Sequence, residues 1–240
     1  MSDNLNKLSL LGHLTELRTR LIRSVIAVAI TVILSFVFYQ QIFDILLLPA
    51  RDITLIYTEM TEMLGTTMRV SLISGIILAM PYLTYEFIMF VSPALTRREK
   101  RYVFLILPWI ALMFAAGVAF TYFVLLPPMI QFLLTFGDNI ATPQIKVGNY
   151  ISVVTRLLLA FGLVFEAPVV TTFLARIGIL KPQWLVDKRK PAIILAFVLA
   201  SMITPTIDPI NQSLVALPLI VLYEMSIWLA RLVYKKRPAA

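Results

Sequence analysis

The chain is a series of long apolar runs separated by short polar segments. Runs long enough for a membrane span lie at about 22–43, 70–92, 102–126 and 149–175, and each holds at most two charged residues. A spanning helix needs about 20 apolar residues, because lipid offers no partners to backbone N–H and C=O groups. The runs also lack the polar positions that recur every few residues along a surface helix. The pattern therefore predicts an all-α, polytopic membrane protein.

Two shorter apolar stretches follow, at about 191–204 and 210–231, with TPTIDPIN between them. As a helix, Ala192 to Ile203 is about 18 Å long, whereas the hydrocarbon core is about 30 Å thick. The pair is therefore either a re-entrant hairpin or two short spans that thin the bilayer locally. We favour two short spans, although charge alone does not exclude the hairpin. The prediction is one transmembrane domain, 1–240, with six transmembrane helices of which the last two are short.

The basic residues orient these spans. Of the 21 Lys and Arg, 17 lie in alternate segments: the N-terminal arm, the second-to-third and fourth-to-fifth connections, and the tail. Cytoplasmic segments are enriched in Lys and Arg, so both termini are predicted to be cytoplasmic in a multi-pass protein of the cell inner membrane. The net charge of +8 is then a topology signal. No basic groove or soluble module indicates nucleic-acid binding.

The opposite side of the membrane is predicted to carry two periplasmic cap loops, at about 44–69 and 127–148. Pro127 and Pro128 are expected to end the third span, because proline lacks a helical N–H and its ring clashes with the preceding turn. The segment MIQFLLTF after them is then a short interfacial helix.

A charged residue within the fourth span is unusual. Glu166 is expected to face the protein interior or a water-filled cavity, because an ionised side chain is costly at the centre of a membrane helix. Arg156 is about 15 Å away along the helix, too far to pair with it. Two roles stay open: a neutral or hydrogen-bonded packing group, or a part in substrate passage or partner docking. Pro168 frees the Val164 carbonyl and invites a kink there.

Other polar residues also lie in or near the spans. Glu86, late in the second span, is expected to extend towards the cytoplasmic interface. Glu224 lies about two turns before Arg231, and the residues alone favour neither a structural nor a functional role for it. Gln212 belongs to a polar patch at the outer face, where partner docking and self-packing are both open.

No catalytic or cofactor-binding motif is found in the sequence. There is no phosphate-binding glycine loop, no HExxH and no cysteine, and His13 is the sole histidine. A metal site with several histidine ligands is therefore excluded. We expect a protein that is not an enzyme, holds no cofactor, and depends on a partner or an ion gradient for any transport.

The residues alone leave several classes of function open. A secondary transporter with Glu166 as proton carrier predicts an internal repeat with broken helices, and the two halves show no such similarity. The membrane half of a nucleotide-driven permease would need a cytoplasmic coupling segment, which the short basic loops do not exclude. A purely structural scaffold would leave Glu166 unexplained.

Four segments carry a family resemblance. They are HLTELRTRL in the N-terminal arm, MPYLTYEFIMFVSPALTRREKR in the second span and the loop after it, FGLVFEAPVV in the fourth span, and TPTIDPINQSLVALPLIVLYE in the last hairpin. In this order, with six spans, they resemble the TatC family, the signal-peptide receptors of the twin-arginine translocase. The resemblance extends over nearly the whole chain.

The resemblance implies that the protein binds signal peptides with an Arg-Arg pair, ahead of the export of folded proteins. Its implied partners are these peptides, single-span subunits of the TatA and TatB type, other TatC copies and the lipid bilayer. The proton-motive force is the implied source of energy.

The resemblance places a twin-arginine pocket at Glu16 and Glu99, with Phe90 beside them and Arg18 and Arg20 at the basic positions of the arm. Two carboxylates on one face suit two adjacent arginines, because a guanidinium binds a carboxylate through two parallel hydrogen bonds and Lys cannot. The residues alone indicate only an exposed ion pair between Glu16 and Arg20.

Further positions match the family. Glu166 matches its intramembrane acid, and Thr204 with Gln212 matches the polar patch that docks TatA or TatB. Pro49 matches a proline of the family's first periplasmic loop, and Pro81 and Pro168 are the other two prolines predicted to be structural. Two features depart from the family: TEMTEMLG lacks a proline that is usual there, and Glu86 stands where relatives often carry glutamine.

Overall fold

The computed structural model describes residues 2–50, 54–91, 97–136, 144–204 and 208–234, without the side chains of 2–14, 91 and 97–105. These ranges are almost entirely helical, which confirms the predicted all-α membrane fold. The α-helices in chain order are α1 Ser2–Val37, α2 Tyr39–Leu47, α3 Glu62–Val91, α4 Arg97–Phe120, α5 Leu126–Thr135, α6 Val147–Arg176, α7 Pro182–Asp187, α8 Arg189–Ile203 and α9 Pro209–Val233.

Within the described ranges, five helical segments are long and apolar enough to cross a membrane. They are Thr15–Val37, Glu62–Phe90, Ile106–Thr135, Val147–Arg176 and Pro209–Val233. Helix α8 has 15 residues, which corresponds to about 22 Å. It is short, as predicted. Helix α9 has 25 residues and is longer than predicted, because the helix begins at Pro209 and continues past Arg231.

The prediction that Pro127 and Pro128 end the third span is wrong. After α4, a π-helical turn over Thr121–Leu125 connects directly to α5, which carries both prolines in its first turn. The Leu126 N–H bonds the Thr121 carbonyl, five residues back. A widened turn of this kind makes room next to the proline rings, which would clash with a regular α-helical turn. The segment MIQFLLTF is therefore helical in direct continuation of α4 and is not a separate helix.

Helix α6 is the centre of the bundle and packs against α3, α4 and α9. Its residues Ile151, Val154, Leu157 and Phe161 are fully buried at intervals of three or four positions, which puts them on one helical face. At Gly162, a Cβ atom would lie 2.6 Å from the Phe114 ring of α4. The helices therefore approach closely where a side chain is absent, a common way of packing helices in lipid.

Helix α1 lies at the edge of the bundle and packs mainly against α3. A Cβ atom at Gly75 of α3 would lie 2.6 Å from Val32 Cα of α1, so these two backbones are nearly in contact. Between residues 15 and 37, most of the apolar side chains of α1 are exposed, as suits a helix that faces lipid. This close approach is one of the contacts that hold α1 against α3.

At the end of the bundle predicted to be periplasmic, β1 (Leu55–Ile56) pairs in parallel with β2 (Ile145–Lys146). Just after β1, Glu62 accepts hydrogen bonds from the Thr58 N–H at 2.9 Å and from the Gly148 N–H at 3.2 Å. One carboxylate thus joins the start of α3 to the start of α6. The segment TEMTEMLG folds here without the proline that the resemblance would place in it.

Candidate functional site

Four polar side chains of α1 and α3 form a connected cluster. Arg20 Nη2 lies 2.7 Å from Glu16 Oε1, and Arg20 Nε lies 3.0 Å from the same oxygen. On the other side, Arg20 Nη1 donates to Glu86 Oε2 at 2.9 Å. The Tyr82 hydroxyl donates to the second oxygen of Glu86 at 2.8 Å. One arginine of α1 therefore bridges an acid of its own helix and an acid of α3.

The expectation that Glu86 extends to the interface is wrong. Its side chain is buried between α1 and α3, where it accepts from Arg20 and Tyr82. A buried carboxylate needs such partners, because its desolvation is costly otherwise. The predicted pair of Glu16 and Arg20 is confirmed, but it is half of a larger network.

Sequence reasoning missed this network because 66 residues separate Arg20 from Glu86. Two signals could have indicated it. Both residues lie near the ends of consecutive, antiparallel spans that are predicted to be cytoplasmic, and Tyr82 precedes Glu86 by one helical turn. An acid within a span calls for a cation on a neighbouring helix.

The other predicted pocket residues lie as follows. Phe90 is half-buried on α3, four residues after Glu86, so it is about 6 Å further along the same helical face. Arg18 is exposed on α1. Glu99 falls in the first turn of α4, but its side chain lies outside the described part of the structure. The structure therefore brings Glu16, Arg20 and Glu86 together and leaves the position of the Glu99 carboxylate a prediction.

Glu166 is buried on α6 and faces α3. The Thr84 hydroxyl lies 3.3 Å and 3.4 Å from its two oxygens, and this hydroxyl also donates to the Met80 carbonyl at 3.0 Å. Beside the carboxylate is a cavity of about 560 Å³, bounded by α3, α4 and α6 and lined mostly by apolar side chains such as Leu83 and Phe173. Glu166 thus faces the protein interior next to a cavity, as expected for an acid within a span.

The three structural prolines lie in helical segments. Pro49 belongs to a short 3₁₀ turn after α2. Pro81 and Pro168 lie inside α3 and α6, and both helices continue past them. The Thr172 hydroxyl donates to the Pro168 carbonyl at 2.5 Å.

The predicted docking residues take part in packing the last hairpin. Thr204 is buried at the end of α8 and donates to the Ala200 carbonyl at 2.9 Å. Gln212 of α9 donates to the Phe197 carbonyl of α8 at 3.1 Å. Asp208 caps α9 by accepting from the Asn211 N–H at 2.7 Å. These contacts show self-packing by Gln212, and docking of a partner stays a prediction.

Glu224 has a partner on another helix. Arg189 Nη2, at the start of α8, lies 2.6 Å from Glu224 Oε2, and both side chains are exposed. In the part of the chain that the structure describes, no group of three or more His, Asp or Glu side chains could hold a metal ion.

A family model described as "Sec-independent protein translocase protein (TatC)" matches residues 12–218. Among curated proteins, the TatC of Desulforapulum autotrophicum is 40% identical over 242 residues, which covers 99% of this chain and 89% of that protein. The TatC of Aquifex aeolicus is 40% identical over 94% of this chain and 95% of that protein. The TatCd protein of Bacillus subtilis is 38% identical over 95% of this chain and 93% of that protein.

Two solved structures have the same fold. One is titled as the crystal structure of the twin arginine translocase receptor TatC, with a TM-score of 0.84 and 40% sequence identity over 92% of this chain and 99% of that one. A second crystal structure, of the same receptor in DDM, has a TM-score of 0.84 and 41% sequence identity over 91% of this chain and 99% of that one. The similarity therefore extends over sequence and fold alike.

Proposed function

The chain belongs to the TatC family of Sec-independent protein translocase proteins, and from this premise we propose that it binds twin-arginine signal peptides at its cytoplasmic face. The family membership makes it a non-enzymatic membrane subunit of the twin-arginine translocase. The finer steps of recognition, partner docking and energy supply are part of the proposal.

The observation that carries the proposal is that the Glu16 carboxylate already binds a guanidinium. Arg20 donates to one Glu16 oxygen through two nitrogens, and the Glu16 side chain is still partly exposed. A carboxylate in this setting suits an arginine side chain from outside the protein, because charge-assisted bonds to the guanidinium fork are strong and directional. In the proposal, Glu99 supplies the carboxylate for the second arginine.

Phe90 supports the same location. It is half-buried and lies one helical turn after Glu86, so an aromatic side chain lies next to the polar cluster on the same face of α3. Aromatic faces attract guanidinium groups and pack against the apolar part of a peptide. We propose that this face of α3 forms one wall of the peptide site.

The charge pattern supports the orientation. The segments that hold 17 of the 21 basic residues include the arm with Glu16 and the loop with Glu99, which supports a position for both acids on the cytoplasmic side of the cell inner membrane. Signal peptides would meet the protein there before their cargo is exported.

The proposal includes the partners implied by the family. Subunits of the TatA and TatB type would dock at the last hairpin near Thr204 and Gln212, and Glu166 would act within the membrane during passage of cargo. The short helix α8 fits a locally thinned bilayer at this place. Transport would use the proton-motive force, as the family resemblance implies.

Binding of a fluorescent signal peptide to the purified protein in nanodiscs tests the proposal. Peptides with Arg-Arg and with Lys-Lys would be compared on wild type, Glu16→Ala, Glu99→Ala and the control Glu59→Ala, an exposed acid at the opposite end of the bundle. We expect tight binding of the Arg-Arg peptide to wild type and the control, and loss with Lys-Lys or with either cytoplasmic substitution. Equal binding in all combinations would refute the assigned pocket.

A further inference from the structure

The carboxylate proposed to receive an arginine of the signal peptide is occupied by an arginine of the protein itself. Arg20 holds Glu16 Oε1 with Nε at 3.0 Å and with Nη2 at 2.7 Å. A peptide guanidinium cannot make its own bonds to this oxygen without displacing these two.

We propose that Arg20 is an internal competitor for Glu16, and that Glu86 retains Arg20 when an arginine of the signal peptide displaces it. The inference rests on the proposed function, since it describes how that site exchanges one guanidinium for another. Arg20 and Glu86 are then positioning residues that set the affinity of the site.

The geometry allows this exchange because Arg20 uses different nitrogens for its two acids. Nε and Nη2 face Glu16, whereas Nη1 alone bonds Glu86 Oε2 at 2.9 Å. A guanidinium has five N–H donors in a rigid, planar arrangement. Arg20 can therefore release Glu16 and keep its bond to Glu86 with a small rotation of the side chain.

Burial determines which of the two bonds breaks. The Glu86 side chain is 4% exposed, that of Arg20 17% and that of Glu16 31%. Breaking a buried ion pair leaves an uncompensated charge and is costly, whereas an exposed pair is weak and easily replaced. The outer bond, to Glu16, is thus the exchangeable one.

Tyr82 holds the retaining acid in place. Its hydroxyl donates to Glu86 Oε1 at 2.8 Å, so the two oxygens of Glu86 have separate donors. Because Tyr82 and Glu86 are one turn apart on α3, this bond fixes the carboxylate on the face that meets α1. Glu86 therefore stays in position whether or not Arg20 also holds Glu16.

Two variants with opposite expected effects test the inference. In Glu86→Gln, an Arg20 side chain that leaves Glu16 is held only by a neutral acceptor. The signal peptide therefore displaces Arg20 from Glu16 less easily, and affinity for the Arg-Arg peptide falls about three- to tenfold. In the double variant Arg20→Gln with Glu86→Gln, no competitor occupies Glu16, and affinity rises about two- to fivefold. The net charge of the double variant equals that of wild type, so overall charge predicts no change.

Asp187→Asn is the matched control for Glu86→Gln, because it also removes one acid on the side of the membrane predicted to be cytoplasmic. Asp187 is exposed and accepts a hydrogen bond from Gln183. We expect its affinity to equal that of wild type. Arg20→Lys keeps the charge but loses the fork, and we expect a modest rise in affinity. Each variant is first checked by size-exclusion chromatography and thermal unfolding, and Arg20→Lys replaces the double variant as the test if the latter does not fold.

The inference is overturned if the double variant folds but binds the peptide no more tightly than wild type does. The same outcome for Arg20→Lys overturns it where the double variant does not fold. The network would then be only a structural link between α1 and α3. The proposed function has its own test in the same experiment. If Glu16→Ala abolishes binding while the Arg20 variants show no gain, the receptor site stands and the internal competitor falls. If Glu16→Ala has no effect, both fall.

Discussion

Replacing Gly75 by alanine tests the packing that brings α1 to α3. The added Cβ would lie 2.5 Å from Val32 Cγ2, 2.6 Å from Val32 Cα and 2.7 Å from Val32 N. Carbon atoms in ordinary contact are about 3.5–4.0 Å apart, so the helices must separate by about 1 Å. Two of the three neighbouring atoms are backbone, and no change of rotamer can relieve the clash.

The expected cost is that of an overpacked interior, about 1–3 kcal/mol. Gly65→Ala is the matched control, because Gly65 lies on the same helix and a Cβ there meets no atom within 4 Å. Replacing a helical glycine by alanine by itself stabilises a protein by up to about 1 kcal/mol. Gly65→Ala should therefore be neutral or slightly stabilising, and Gly75→Ala destabilising.

Thermal unfolding of both variants in the same detergent, followed by tryptophan fluorescence, measures the difference. Binding of the Arg-Arg peptide should weaken in Gly75→Ala as well, since α1 carries Glu16 and Arg20. An unfolding temperature of Gly75→Ala equal to or above that of Gly65→Ala would refute the described crossing of α1 and α3.

Three further stability predictions follow from single contacts, each measured by unfolding in detergent against wild type. Glu62→Ala removes two hydrogen bonds to backbone N–H groups and should lower the free energy of unfolding by about 1–2 kcal/mol. The control Glu59→Ala changes an exposed neighbour and should lower it by less than about 0.5 kcal/mol. Equal losses of stability in the two variants would contradict the linking role of Glu62. Phe161→Ala empties the centre of the bundle and should cost about 3–5 kcal/mol; a loss below about 1 kcal/mol would contradict its central position. Arg189→Ala breaks an exposed pair with Glu224 and should cost at most about 1 kcal/mol; a larger loss would show that the pair is shielded from water.

The apolar spans could be predicted from the sequence because lipid imposes one requirement on every spanning helix. Runs such as 149–175 agree with α6 to within two residues at either end. The chemistry of an acid within a span also predicted that Glu166 faces the interior, and the structure places it there beside a cavity.

What could not be predicted depends on contacts between distant parts of the chain. The pair of Arg20 and Glu86 requires the crossing of α1 and α3, which no local pattern encodes. The parallel pairing of β1 and β2 involves two residues in each strand, too few to show a periodicity. The general rule that proline ends a helix fails at Pro127, because the preceding π-helical turn accommodates the proline ring.

A double-mutant cycle between Glu16 and the signal peptide tests the central claim most directly. Wild type and Glu16→Gln would each be titrated with the Arg-Arg and the Lys-Lys peptide, and the coupling free energy calculated from the four dissociation constants. If the Glu16 carboxylate recognises a guanidinium, Glu16→Gln should weaken binding of the Arg-Arg peptide more than binding of the Lys-Lys peptide. The expected coupling free energy is about 1 kcal/mol or more, which corresponds to about a fivefold difference between the two changes in dissociation constant. Equal weakening of both peptides would contradict the claim, since Glu16 would then contribute only charge.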